Sequence, residues 1–312
     1  MSAGNEKESR MMLQGKVVIV TGAGRGIGRD MALAMAKNGA QVVVNDLGTS
    51  LDGNGQDAGP AAQVVAEICA AGGSAVASTH SVADWDSAQQ IVATAIESFG
   101  RVDVIVNNAG IARDRIFHHM TLDDWRAVID VHLNGAFYLS RAAATHFRNQ
   151  NTGRFIFMTS ASGLVGNLGQ ANYAAAKMAV VGLSKSLALD MARYGVTSNA
   201  ICPFAYSRMI GSIPTETPEE KARVEKIKAM ETNKIAPLAV YLSSDAAAKV
   251  SGQIFAVRAN ELFLISQNRP LRSTHRAEGW TPESIAATAI PALERNFYPL
   301  ERSADVFSWD PI

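Results

Sequence analysis

Short, nearly uninterrupted β-branched runs alternate along this chain with longer amphipathic ones, and that alternation leaves few folds open. Residues 16–21 (KVVIVT), 41–45 (QVVVN), 74–78, 102–107 (VDVIVN), 154–159 and 197–201 read as strands. Helical patterns over 27–38, 60–71, 87–99, 122–149 and 173–194 separate or follow them. A strand apolar on both faces needs cover on both. A helix between successive strands returns the chain to start the next one in parallel. The fold class this predicts is α/β, a doubly wound parallel sheet in a single domain, completed by a helix at 236–243 and a last strand at 255–258.

Two stretches fall outside the alternation, and the ends divide accordingly. Residues 1–12 read as a flexible lead and 13–258 as the domain. Within it, residues 204–236 are rich in Pro, Thr and charge, with a short helix near 219–230, and are expected to form a substrate lid. Residues 259–312 carry Trp280, Phe297, Tyr298, Phe307 and Trp309, which predicts a docked C-terminal extension. In it, Thr281 and Pro282 supply an N-cap and first-turn proline. Lys plus Arg equals Asp plus Glu, 29 of each, so nothing in the charge favours nucleic acid or an anionic membrane. No apolar run approaches the roughly 18 residues of a membrane span. There is no signal-peptide core, and the C-terminal Trp-Asp-Pro-Ile is no peroxisomal tripeptide. Cys69 and Cys202 make neither a disulfide framework nor a metal site. The expected location is cytoplasmic.

Chemistry concentrates at three places. Thr21-Gly-Ala-Gly-Arg-Gly-Ile-Gly28 sits between the first strand and a good helix. Glycines there permit a tight turn and close approach of the backbone to a pyrophosphate seated on the helix N-terminus. Asp46 ends the second strand, where a carboxylate can accept from both adenosine-ribose hydroxyls and repel a 2′-phosphate, favouring NAD over NADP. Arg25 in the glycine turn pulls the other way. Tyr173 and Lys177 lie four residues apart, on one face of a helix. An ammonium beside the phenol is expected to favour the phenolate and lower its pKa. An isolated pair of this kind would be an ordinary surface Tyr and Lys, but Ser160 precedes Tyr173 by thirteen residues and Asn107-Asn-Ala-Gly110 lies between the two ends.

Motifs in this order and spacing resemble the short-chain dehydrogenase/reductase family, over about residues 13–258, and imply its Rossmann-type fold. The resemblance implies that Tyr173 is the catalytic acid/base. It also implies that Lys177 tunes Tyr173 and holds the nicotinamide ribose, and that Ser160, rather than nearby Ser162, steadies the substrate oxygen. It implies cofactor contacts from Gly22, Gly24, Arg25, Gly26, Ile27, Gly28 and Asp46, from Ser81 and Val82 beside adenine, and from Asn108, Ala109 and Gly110 toward the nicotinamide. The family's usual helix asparagine is His132 here, in Val131-His-Leu-Asn-Gly135, either a fourth catalytic residue or a packing one. That departure, with Arg113–Phe117, Ser160–Gly163 and Ser207–Met209, is similar to the dehydrogenase part of the peroxisomal multifunctional enzymes type 2, a 17β-hydroxysteroid dehydrogenase relative, and to bacterial hydroxyacyl-CoA dehydrogenases. A second departure is Pro203-Phe204, where the family has Pro-Gly. The resemblance also implies that the helices at 122–149 and 173–194 pair with their twins in a homodimer.

The reading is therefore an NAD-dependent oxidoreductase interconverting a hydrophobic secondary alcohol and its ketone. A 17β-hydroxysteroid-type substrate is favoured, because the apolar lid residues and aromatic tail suit a bulky lipid; a (3R)-hydroxyacyl-CoA is the alternative. From other classes, an NAD-sensing regulator without catalysis would be expected to lose Tyr173 or Lys177. An interaction subunit has only the aromatic tail in its favour.

Overall fold

The computed structural model describes residues 11–205, 217–228 and 230–312. Much of the expected lid, including Tyr206, Ser207, Arg208, Met209, Ile210 and Ile213, lies outside the described residues, as do the first ten residues of the lead. Leu13 is already fully buried, and its N–H donates to Asn38 O.

The strands are β1 (Val17–Thr21), β2 (Gln41–Asn45), β3 (Ser74–Ser78), β4 (Val104–Asn107), β5 (Gly153–Met158), β6 (Val196–Phe204), β7 (Ile254–Arg258) and β8 (Glu261–Leu264). They form one sheet in the order β3-β2-β1-β4-β5-β6-β7-β8. All pairings are parallel except the last. Side chains of a strand alternate between faces, and β1 shows the consequence. Val18 and Val20 join the core with Met31 and Met35 of α1 (Gly26–Lys37), Ile68 of α2 (Gly59–Ala70) and Leu242 of α9 (Ala236–Ser243). Val17 and Ile19 face Ile91 of α3 (Trp85–Phe99), Leu139 and Phe147 of α5 (Gly135–Gln150) and Val180 of α7 (Ala171–Asp190). The central strands such as β1 and β4 thus bury two apolar faces, which explains their unbroken β-branched sequences.

Three features differ from the sequence reading. The helix expected over 122–149 is interrupted. Following α4 (Leu122–Ile129), residues Asp130–Asn134 widen into a π turn before α5 begins. Such turns carry an extra residue and recur at functional sites; this one carries His132. The sheet does not end at Arg258, because Ala259, at φ +50, and Asn260 turn the chain back into antiparallel β8. That turn has no glycine and β8 is short, with Leu262 and Leu264 exposed, so the pattern was not legible as a strand. The tail past β8 is largely exposed along its length, and it contacts the domain through the half-buried Phe307 near its end. There Phe307 packs on Phe204 and Phe263, and Arg258 donates to the carbonyl oxygens of Phe307 and Trp309. Thr281 caps the tail helix by accepting from Ser284 N–H. No described helix is long and apolar enough to cross a membrane.

Candidate active site

The sheet order reverses between β1 and β4, and in open α/β sheets ligands bind outside the strand ends at such a point. A cleft of about 730 Å³ opens there. Its floor is the glycine turn, from which Gly22, Arg25, Gly26, Ile27 and Gly28 line it. The turn closes only on bare backbone. Gly22 sits at φ +62, and a Cβ on it would lie 2.9 Å from Ala109 Cα, while a Cβ on Gly28 would overlap Gly22 O. Arg25 occupies the N-cap of α1 with no side-chain cap bond, and the first turn has no acidic residue. The helix's first amides and the positive end of its dipole are left for an anion. A dinucleotide pyrophosphate fits this cradle.

Asp46 lines the same cleft. Its carboxylate accepts from Gly24 N–H and Gly48 N–H, each at 2.7 Å, so it braces the glycine turn as well as facing the cleft. Gly24 must be glycine for that contact: a Cβ would come within 2.8 Å of the carboxylate. Arg25 is exposed on the rim. Ser81 and Val82, after β3, and Asn108, Ala109 and Gly110, after β4, line the remaining walls. Asn108 has a structural task besides: its side-chain amide donates to Thr21 O at 2.8 Å. Thr21 Oγ1 in return accepts from the N–H groups of Asn108 and Ala109.

Ser160, Tyr173 and Lys177 converge at the end of β5. Lys177 is buried, and its Nζ donates to Met158 O (2.8 Å) and stands 5.6 Å from the centroid of the Tyr173 ring. Thr159 Oγ1 donates to Lys177 O and fixes α7 against the strand end. Burial pushes the Tyr173 phenol up to about 12, while the Ser160 hydroxyl pulls it back. Burial lowers the Lys177 ammonium to about 8. The expected lowering of the phenol by its lysine is therefore reversed in the protein alone: desolvation of a phenolate outweighs an ammonium already engaged by a carbonyl. Ser162 turns its hydroxyl to Gln170 Oε1 (2.7 Å), which leaves Ser160 as the serine on the phenol. The Cys202 thiol is raised by burial to about 12 and stays protonated.

His132 meets Tyr173 edge to face, 5.2 Å between ring centroids. Its Nε2 lies 2.8 Å from Ile111 O and 3.1 Å from Ile111 N, serving the carbonyl as donor or the amide as acceptor according to tautomer. Burial and the nearby Lys177 charge lower it to about 3, so the imidazole is neutral. Its Nδ1 has no protein partner among the described residues. The ring borders a void of about 10 Å³ shared with Thr21, Asn107 and Lys177, the scale of one water with polar partners. By contrast, His118 and His119 are exposed, with their rings in tilted contact with each other.

Two contributors escaped the sequence reading. Asn172 is fully buried; its amide donates to Arg113 O and Asp124 O, and its Oδ1 accepts from Tyr173 N–H. It bolts the catalytic turn of α7 to α4. A carboxamide beside a tyrosine carries no titratable signal, so only its burial reveals it. The other is the loop after Asp46, whose Leu47, Thr49, Ser50, Leu51 and Gly53 line the cleft.

The sequence profile of the short chain dehydrogenases matches residues 16–213. A solved short chain dehydrogenase from Mycobacterium avium superposes with a TM-score of 0.81 at 40% identity, covering 93% of this chain and 98% of that one. The hydroxyacyl-CoA dehydrogenase ChsB1 of Mycobacterium tuberculosis is 39% identical, over 88% of both chains. The mouse peroxisomal multifunctional enzyme type 2 is 40% identical over 89% of this chain, which spans only 36% of that enzyme's length.

Proposed function

This chain belongs to the short-chain dehydrogenase family, oxidoreductases acting on CH–OH groups. On that premise we propose that it interconverts a (3R)-3-hydroxyacyl thioester of coenzyme A and its 3-keto form, with NAD as cofactor. The observation that carries the reaction is the Tyr173 phenol with Lys177 Nζ 5.6 Å from its ring centroid and Ser160 acting on it against the effect of burial. Bound nicotinamide supplies the hydride acceptor or donor. The protein handles the proton: Tyr173 Oη gives it to, or takes it from, the substrate oxygen, and Ser160 Oγ holds that oxygen in line. A phenol kept protonated by burial is suited to donate when the keto group is reduced. Lys177 would hold the nicotinamide ribose and oppose the burial of charge at Tyr173. His132, neutral and bonded to the Ile111 peptide, holds the wall of the site and offers Nδ1 to the void beside Lys177.

Asp46 supports NAD over NADP, since a carboxylate lining the cleft beside the glycine turn would repel a 2′-phosphate. Likeness to a hydroxyacyl-CoA dehydrogenase over nearly the whole chain supports the thioester, and the lean toward a steroid from lid and tail composition gives way to it. Exposed Trp125, Phe137, Met178 and Leu189 on α4, α5 and α7 support pairing of these helices in a homodimer. The test is kcat/KM with NAD for a medium-chain (3R)-3-hydroxyacyl-CoA against a 17β-hydroxysteroid. We expect the thioester to win by about a hundredfold, about 2.7 kcal/mol of transition-state discrimination. A steroid favoured by that margin would restore the other substrate.

A further inference from the structure

The loop between β2 and α2 is built as a closed unit. At its base, Gly48 N–H donates to Asp46 Oδ1 (2.7 Å) and Asp57 N–H to Leu47 O (3.1 Å). Gly48 is pressed so closely on Asp57 O that a Cβ has no room. At its tip, Ser50 N–H donates to Asn54 O (2.8 Å), and the Asp52 carboxylate accepts from Ser50 Oγ and from the Asn54 amide. A short loop with a pinched base and an internally bonded tip is a compact surface element rather than a slack connection.

The tip is tied to the far side of the cleft. Ala112 N–H donates to Leu51 O at 2.9 Å, and Arg113 Nε donates to Asp52 O at 2.9 Å. Arg113 also pairs with Asp123 through Nη1 (2.6 Å). Topology gives these bonds their meaning. The loop leaves from β2 and is fastened to the chain after β4, and β1 lies between those strands. A tie from one to the other crosses the end of β1, where the glycine turn lies. The gap is two strand spacings, roughly 10 Å, within reach of the loop.

The two sides of the tie are unequal. Residues 111–113 form a fixed platform: Ile111 is buried and held by His132 Nε2, and Arg113 O accepts from buried Asn172. The strap itself is mostly exposed. Opening therefore occurs on the strap side, by release of two hydrogen bonds.

We propose that residues 47–57 roof the dinucleotide site and that Arg113 is the positioning residue that latches the roof, so that strap opening limits release of the cofactor. This rests on the reading that the cleft holds NAD, and it adds a wall to that site that the glycine turn, Asp46 and the catalytic residues do not provide. Product-side release through a moving loop limits turnover in many enzymes, so the latch would set both retention of the reduced cofactor and kcat.

The test is stopped-flow displacement of NADH from the full chain, with hydrogen exchange at the Ala112 amide as an independent report of strap closure. Arg113→Ala should speed NADH dissociation about tenfold, as expected for loss of one charge-assisted hydrogen bond, and should deprotect Ala112 while the core amides keep their protection. Asp52→Ala, which loosens the tip without touching Arg113, should speed dissociation in the same direction. Asp123→Asn removes only an exposed ion pair and should leave dissociation within about twofold. If Arg113→Ala and Asp52→Ala both deprotect Ala112 yet NADH leaves at the wild-type rate, the strap is no roof and the proposal is overturned. Failure of the wild type to bind NADH at all would overturn the cofactor reading beneath it.

Discussion

The two halves of this site are made from opposite materials. On the β1–β3 side the site is built from the absence of side chains: glycines bring bare amides to the cleft, and a single carboxylate, Asp46, braces them. On the β5 side it depends on side chains removed from water, where Tyr173, Lys177 and His132 all have pKa values moved by burial. The contrast teaches where each kind of damage will register. Added atoms harm the first half sterically and should appear in cofactor binding. Removed or altered atoms harm the second half chemically and should appear in turnover or in pH dependence.

The strongest test of that division is Tyr173→Phe. It deletes one hydroxyl from the catalytic half, so kcat should fall by a factor of about 100 to 10,000, while NADH affinity by fluorescence titration stays near the wild-type value. Retained turnover would remove the phenol from the chemistry. The mirror experiment is Gly28→Ala. Its Cβ would overlap Gly22 O, and relieving that overlap should cost about 1–3 kcal/mol. The loss should be seen as weaker NADH binding and a lowered Tm, with kcat at saturating cofactor less affected.

His132 sharpens the comparison through pH. Its folded-state pKa, about 3, lies below the ordinary value of 6.5, so between those limits the unfolded chain binds the extra proton. Its contribution is intact above about pH 6.5 and is lost as pH falls toward 3, by about 1.4 kcal/mol per unit. Wild-type stability from urea midpoints should drop about 2 kcal/mol from this group between pH 6.5 and 5, and His132→Asn should flatten that limb. His132→Asn should also keep substantial activity where His132→Leu loses most of it; equal activity in both would make the histidine purely a packing residue. The smallest effect expected is at Asp46→Ser. Removing the carboxylate should narrow the preference for NAD over NADP by about tenfold, measured as the ratio of kcat/KM values. A wild type already indifferent to the 2′-phosphate would show Arg25 outweighing Asp46.

Much of this molecule is determined by local sequence. Strand and helix identity follow from unbroken β-branched runs and amphipathic periods, because the central strands bury both faces and the covering helices one. The glycine turn, Asp46 and the Ser160, Tyr173 and Lys177 spacing were equally legible, since those residue types at those intervals have few other uses. What only the tertiary structure decided is of another kind. The π turn that seats His132 packs against α7, as α4 does, and the residues of the turn alone do not reveal that placement. The strap's role depends on Leu51 and Asp52 meeting Ala112 and Arg113, some sixty residues away in the chain. The direction of the Tyr173 shift depends on how much water the fold removes from it. Local pattern encodes which face of an element is apolar; desolvation and contacts between distant loops arise only when those elements are packed, and they set the chemistry of the site.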